Sequence, residues 1–331
     1  MNKKLSRWIV WVLILVGILL ITGIFSLCIG SVSIPLKKIA SLIFGDKGST
    51  EYSIIFNIRL PRIILGFAVG GALSIAGVIL QGMFRNPLVE PYTLGISGGA
   101  ALGVCLNIIL RLNHALGIFS LPLFGFIGAV LIILIVYSLS IKSGTLKIKE
   151  LLLTGVMISF ISSSLIMLTM AVSRTEDLHG IIFWIMGSLE EPSWFLVWLA
   201  VLVAVFGLII SYLFCLSLNA FSLGKEEALH LGVNVEKNRR LLFILASLLT
   251  GCSVSISGII GFVGLTVPHF VRTFVGSDHR ILLIGSFLCG AIFLIFCDTL
   301  ARTVISPLEL PVGVITGIIG GIMFIGFLNK R

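Results

Sequence analysis

Few side chains in this 331-residue chain could do chemistry, and their placement restricts what that chemistry is. Glu90, Glu150, Asp298 and Glu309 all stand at the edges of apolar runs rather than within them. Ion- or proton-coupled carriers keep ionisable groups at membrane depth, where their cost marks the pathway. Gradient coupling therefore has no evident carrier here. His269 has no second ligand near it in sequence and reads as a structural hydrogen-bonding residue. Cys28, Cys105, Cys215, Cys252, Cys289 and Cys297 are scattered singly, nearly all in apolar runs, so they read as buried free thiols and not as a metal site. No G-x-x-x-x-G-K-[ST] phosphate loop occurs, and Gly224-Lys225-Glu226 is not one. No paired His, Asp or Glu cluster lies inside the apolar runs. The expectation is a protein that is not an enzyme, with no catalytic residue, metal or cofactor of its own. If ATP drives it, another subunit must supply the ATPase.

The elements that hold these residues follow from composition. Hydrophobic residues make up 58% of the chain, charged residues 11%, and mean hydropathy is +1.18. Soluble domains are about 25% charged, so this is an all-α integral membrane protein with little room for a soluble domain. A spanning helix needs about 20 largely apolar residues. Spans are expected near 8–28, 62–83, 92–110, 118–140, 150–171, 194–216, 241–257, 259–271, 281–297 and 310–328. The eighth is too short to cross alone and reads as a half-helix, so the count is ten with nine as the alternative. The first apolar run is longer than the 7–15 residues of a signal-peptide core, and no small-residue cleavage site follows it. It is expected to be a retained span.

Orientation follows from basic residues, which favour the cytoplasmic side. With ten spans and Met1 inside, the inner segments hold 15 of the 23 Lys and Arg but only 6 of the 14 acids, so the whole formal excess of +9 lies inside. That accounts for the basic balance without nucleic acid. Both termini are then cytoplasmic.

The run from Arg59 to Gly103 carries a glycine or proline every few residues. Small residues let helices approach closely in lipid, and the polar break Arg85-Asn86-Pro87 is tolerable only where protein or water surrounds it. This composition points to a transporter's working part rather than an anchor. Shifting the chain by 181 positions matches Arg59 to Arg240, Gly70 to Gly251, Ser74-Ile75 to Ser255-Ile256 and Gly77 to Gly258. The same shift matches Ile79 to Ile260, Pro87 to Pro268 and Gly95 to Gly276, giving eight identities in 37 columns. The second and seventh spans run in opposite directions, so the repeat is inverted, with halves at about 59–150 and 240–328. Transporters use such pairs to alternate access.

Two regions are expected to meet partners. Residues 217–240 form the longest inner loop, in which Gly224–Gly232 reads as a short helix between glycine stops, suited to docking a soluble partner. Glu226 and Glu227 stand early in it, as the helix dipole prefers. On the outer face, Arg59 and Arg62 flank Leu60-Pro61, and Arg302 follows the ninth span. Such residues are either interfacial anchors or a docking patch that pairs with a partner's carboxylates.

The motifs RLPR (59–62), QGMFRNPLVEPYTLGISGGAALG (81–103), FWIMGSL (183–189), LGVNVEKNRR (231–240), GFVGLTVPHFVRTFVGSDHR (261–280) and DTLARTVISPLELPVG (298–313) resemble, in order, the FecCD-type permeases. These are membrane subunits of type II ABC importers for iron(III)-siderophores, haem and cobalamin. The resemblance covers essentially the whole chain as a single permease domain, 1–331. It implies ten helices and alternating access in the cytoplasmic membrane of a bacterium or archaeon. It also implies a second permease subunit (identical or paralogous), two cytoplasmic ATPase subunits and an extracytoplasmic substrate-binding protein. The family's receptor-facing arginines fall on Arg59, Arg62 and Arg302, and its inner gate on Asn86 and Leu88. Its coupling helices fall within 218–237, on Leu218, Gly224, Glu226, Ala228 and Gly232. A metal chelate is the implied cargo, an iron(III)-siderophore foremost. A self-sufficient secondary transporter is the competing reading from the repeat alone.

Overall fold

The structure is a computed structural model and describes residues 3–44, 48–112, 116–142, 145–191 and 193–329. Asp46, Lys47, Lys330 and Arg331, which entered the charge count, lie outside the described residues.

Ten apolar helical segments appear where the apolar runs predict them. The first is α1 (Lys3–Cys28), followed on the outer side by the short amphipathic α2 (Leu36–Phe44). α3 (Thr50–Ser53) passes through a π-helical turn at Ile54–Arg59 into α4 (Leu60–Phe84). After a break, α5 (Ile96–Ile109), α6 (Ser120–Ser140), α7 (Ile148–Val172), α8 (Thr175–Met186) and α9 (Trp194–Leu213) follow. The remainder is α10 (Cys215–Leu223), α11 (Lys225–His230), α12 (Val235–Ser257), α13 (Val263–Val275), α14 (His279–Ala301) and α15 (Val312–Leu328).

The expected inner loop at 217–240 is largely helical. α10 continues almost directly from α9, and α12 starts at Val235 because the Asn234 side chain accepts the Lys237 N–H at 3.0 Å and caps it. The helix expected between two glycines is α11, with Gly224 at φ 137° and Gly232 at φ 77°. α8 was unforeseen as a helix. α13 has 13 residues and contains Pro268. At about 1.5 Å per residue it is some 20 Å long, short of the ~30 Å hydrocarbon layer.

α4 is apolar all round and buried on nearly every side, as a helix without a polar face must be. α14, α9, α12 and α13 surround it. α4 touches α13 with almost no spacer, and a Cβ at Gly77 would collide with the Gly264 carbonyl. α5, α6 and α7 pack together beside this centre, α1 lies on α14, and α15 lies on α14 and α13. At the shift of 181, Pro87 falls in the turn after α4 while Pro268 falls inside α13.

Lys4 Nζ bonds Asp278 Oδ2 at 3.2 Å, and Phe327 stacks by His269 and Phe270. The first and last turns of the chain thus lie at the end of the bundle that carries α11. We call this the inner end, after the charge distribution, and the opposite end the outer.

Candidate functional site

At the outer end the three predicted arginines are buried, with residue exposures of 2% for Arg59, 4% for Arg62 and 2% for Arg302. The guanidiniums themselves therefore present little surface at this end. Carboxylates from the far end of the chain and nearby carbonyls occupy these guanidiniums. Arg62 donates to Asp298 Oδ1 through Nε (3.1 Å) and Nη2 (3.0 Å), and through Nη1 to Glu309 Oε2 (2.6 Å). Arg302 pairs its Nε with Asp298 Oδ2 at 3.0 Å and donates from Nη2 to Ser26 Oγ at 2.7 Å. Arg59 donates to the carbonyls of Leu27 (2.6 Å) and Val32. The carboxylate that reaches solvent is that of Glu309, whose side chain is 41% exposed.

Beside this network opens a cavity of about 690 Å³ lined by Arg62, Phe183, Trp184, Glu190, Glu191 and Glu309, among others. Burial raises the Glu191 carboxyl above the usual range, while its bond from the Ser193 N–H (2.9 Å) opposes this. Under the cavity three chain segments meet backbone to backbone. A Cβ at Gly258 would strike the Trp184 carbonyl, one at Gly187 the Ile259 carbonyl, and one at Gly313 the carbonyls of Met186 and Ile259. The FWIMGSL and LPVG motifs thus form a floor that only glycine permits.

At the inner end α4 stops at Arg85, left-handed at φ 52°. Asn86 Oδ1 accepts the Leu88 N–H at 3.0 Å and closes the turn, while the Leu88 side chain points outward at 54% exposure. The two residues expected to form the gate therefore share one tight turn. Glu90 follows in extended conformation, and its Oε1 accepts the Phe262 N–H at 2.7 Å. Burial raises its carboxyl above the ordinary range, against the lowering by that bond.

The five residues expected to couple to an ATPase differ in their placement. Leu218 and Ala228 are fully buried, Leu218 beside Gly82 of α4. Gly224 and Gly232 end the short helix, and Glu226 is exposed. Sequence reasoning did not single out Leu229 and Leu231, apolar yet 53% and 63% exposed in a segment outside the spans. Their i and i+2 spacing beside a glycine stop was the available signal. Arg85 lies by the start of α11, its Nη1 within 3.7 Å of where a Gly224 Cβ would sit. Asn219 ties α10 to α14 by donating to Asp278 Oδ1 (3.1 Å) and accepting the His279 N–H (2.9 Å). Asn238 Nδ2 ties α12 back to Ser217 Oγ at 2.8 Å. Asp278 also accepts from Arg280 at 2.7 Å. That Arg280 bond, foremost, holds its carboxyl well below the usual range.

Among the described residues no group of three or more His, Cys, Asp or Glu could hold a metal ion.

The FecCD transport family matches residues 18–330. The hemin transport system permease protein HmuU of Yersinia pestis is 38% identical over 316 residues, covering 95% of this chain and 93% of that protein. The molybdate import system permease protein MolB of Haemophilus influenzae is 37% identical over 316 residues, covering 93% and 91%. A solved ABC transporter of the metal-chelate type, in an inward-facing conformation, matches with TM-score 0.85 and 31% identity, over 98% of this chain and 100% of that one. The buried α4, the glycine floor and the turn at Asn86–Leu88 all lie within the matched span, and the chain belongs to the FecCD family of ABC transporter permeases.

Proposed function

We propose that this chain is the membrane-spanning subunit of an importer that carries a metal chelate by alternating access, an iron(III)-siderophore first and haem or cobalamin as the other cargoes. It works with a second permease, identical or paralogous. Two cytoplasmic ATPases and an extracytoplasmic binding protein complete the assembly. It resides in the cytoplasmic membrane of a bacterium or archaeon with both termini inside. The halves at 59–150 and 240–328 act as the inverted pair.

The observation that carries this reading is the tie between a partner-facing helix and the gate turn. α11 and the residue that caps it turn Glu226, Leu229 and Leu231 to solvent and bury Ala228, while the Gly224 end meets Arg85 at the gate. Small apolar knobs outside a membrane span suit a protein interface. A stroke applied there would reach Asn86 and Leu88 directly. The substrate-binding protein docks at the outer end, over Arg59, Arg62 and Arg302; Arg62 acts from within by holding Glu309 at the surface, and Arg302 shares Asp298 with it.

The lining of the outer cavity supports the chelate reading. Phe183 and Trp184 offer apolar walls, and Glu190 and Glu191 add carboxylates beside the already paired Glu309. That environment repels a small oxyanion such as molybdate and accepts a bulky chelate with apolar surface and outward donors. The test is uptake into proteoliposomes holding this chain, its ATPase and its binding protein, with a ferric trihydroxamate, haem, cobalamin and molybdate supplied in parallel. Accumulation of a chelate is expected. Accumulation of molybdate alone would overturn the cargo assignment.

A further inference from the structure

The backbone from Gly258 to Phe262, between α12 and α13, is not helical and lies inside the bundle. Irregular backbone at membrane depth needs partners for its polar groups. Those partners come from the segment just after the gate. Tyr92 Oη accepts the Ile260 N–H at 3.1 Å and donates to the Ile260 carbonyl at 2.9 Å. Glu90 Oε1 takes the Phe262 N–H, at the start of α13, where the helix dipole favours a carboxylate. Gln81 Nε2, one turn before the end of α4, donates to the carbonyls of Gly264 and Leu265, each at 3.2 Å. Pro91 lies against Gly264 so closely that a Cβ there would come within 2.7 Å of its Cδ. Phe262 itself sits at φ 67°, a left-handed conformation that a bulky residue keeps only when its surroundings hold it.

We propose that Glu90 and Tyr92 are positioning residues that lock the gate turn to the α12–α13 break, so that movement of α12 is delivered to Asn86 and Leu88. The proposal rests on the gate and coupling reading above. The linkage is continuous on the page. α11 leads through the Asn234 cap into α12, and α12 ends at Gly258. Tyr92 and Glu90 hold Ile260 and Phe262 of the segment that follows, and Glu90 stands two positions from Leu88. Both side chains bond main chain, so the grip is on the break itself. Without the Tyr92 hydroxyl, both polar groups of the buried Ile260 lose their partner.

The test uses the full chain in liposomes with its ATPase, carrying Leu88→Cys as a reporter for a membrane-impermeant maleimide. Labelling of the unsubstituted chain gives the background from its native cysteines. Labelling rate is compared without nucleotide and with ATP plus vanadate, alongside ATP hydrolysis. The expected result is a clear nucleotide-dependent change in the reporter chain. In Tyr92→Phe and Glu90→Ala that change should collapse toward none while hydrolysis stays within about twofold, since only a local brace is lost. Glu90→Gln keeps a carbonyl acceptor for Phe262 and should retain the change, which separates a brace from a general folding defect. Retention of the full change in both Tyr92→Phe and Glu90→Ala overturns the brace alone. No nucleotide-dependent change in the reporter chain overturns the gate reading and the brace with it.

Discussion

Arg62 binds Asp298 Oδ1 through both Nε and Nη2, at 3.1 and 3.0 Å, across 236 positions of sequence and with almost no solvent at either side chain. Asp298 also takes Arg302, so one carboxylate bridges two buried cations, and Glu309 supplies the second negative charge through Arg62. The pair staples the start of α4 to the end of α14 at the outer end of the bundle.

Removing that carboxylate should be costly. Asp298→Ala leaves two buried guanidiniums without it, and breaking a buried pair from one side costs roughly 3–5 kcal/mol. The expectation is a large loss of thermal stability in detergent. A variant within a degree or two of the parent would show that the network is incidental.

The α4–α13 contact should be still less tolerant. A methyl at Gly77 meets the Gly264 carbonyl, a backbone atom that cannot turn aside. Gly77→Ala should abolish accumulation of folded protein, measured as monodisperse yield after solubilisation. Gly17, with nothing near its Cβ, is the control and should accept alanine without loss.

α11 supplies a test of partner contact. Leu229→Glu with Leu231→Glu places charge on two exposed apolar side chains without entering the core. Interface anchors of this kind cost 1 kcal/mol or more each, so retention of the ATPase in a pull-down should drop at least about tenfold. Undiminished retention would move the contact elsewhere on the inner face.

Asp278 gives a pH dependence of known sign. Its carboxyl is held well below the usual aspartate range, through Arg280 first, with Asn219 and Lys4 also lowering it and burial opposing. A depressed carboxylate contributes stability that is complete above the unfolded pKa and is lost as pH falls through the folded one. Melting temperature should therefore fall on acidification below about pH 4, and Asp278→Asn should be less stable near neutrality with a flatter acid limb. Parallel pH profiles would contradict this.

Much of the fold was legible because lipid imposes a simple rule on composition. Each of the ten apolar runs became a helix, and the glycine stops at Gly224 and Gly232 delimited α11 as expected. The stretch before it reads as loop in sequence because α10 is short, with 9 residues, and carries no long apolar run of its own. The arginines were located but their state was not. Asp298 and Glu309 lie 236 and 247 positions from Arg62, and no local pattern reports which far carboxylate will arrive. The same applies to Tyr92 and Ile260, 168 positions apart. Glu90 and Tyr92 stood in a quoted motif, yet hydrogen bonds to main chain leave no partner residue type to search for.

The central claim is that ATP hydrolysed by a partner moves cargo through this chain. The direct measurement is uptake of a labelled iron(III)-siderophore into proteoliposomes holding the chain, its ATPase and its binding protein, with ionophores collapsing every ion gradient. Accumulation that needs ATP and the binding protein and survives the ionophores is the predicted result. Accumulation by this chain alone, driven by an imposed ion gradient without ATP, would contradict the account.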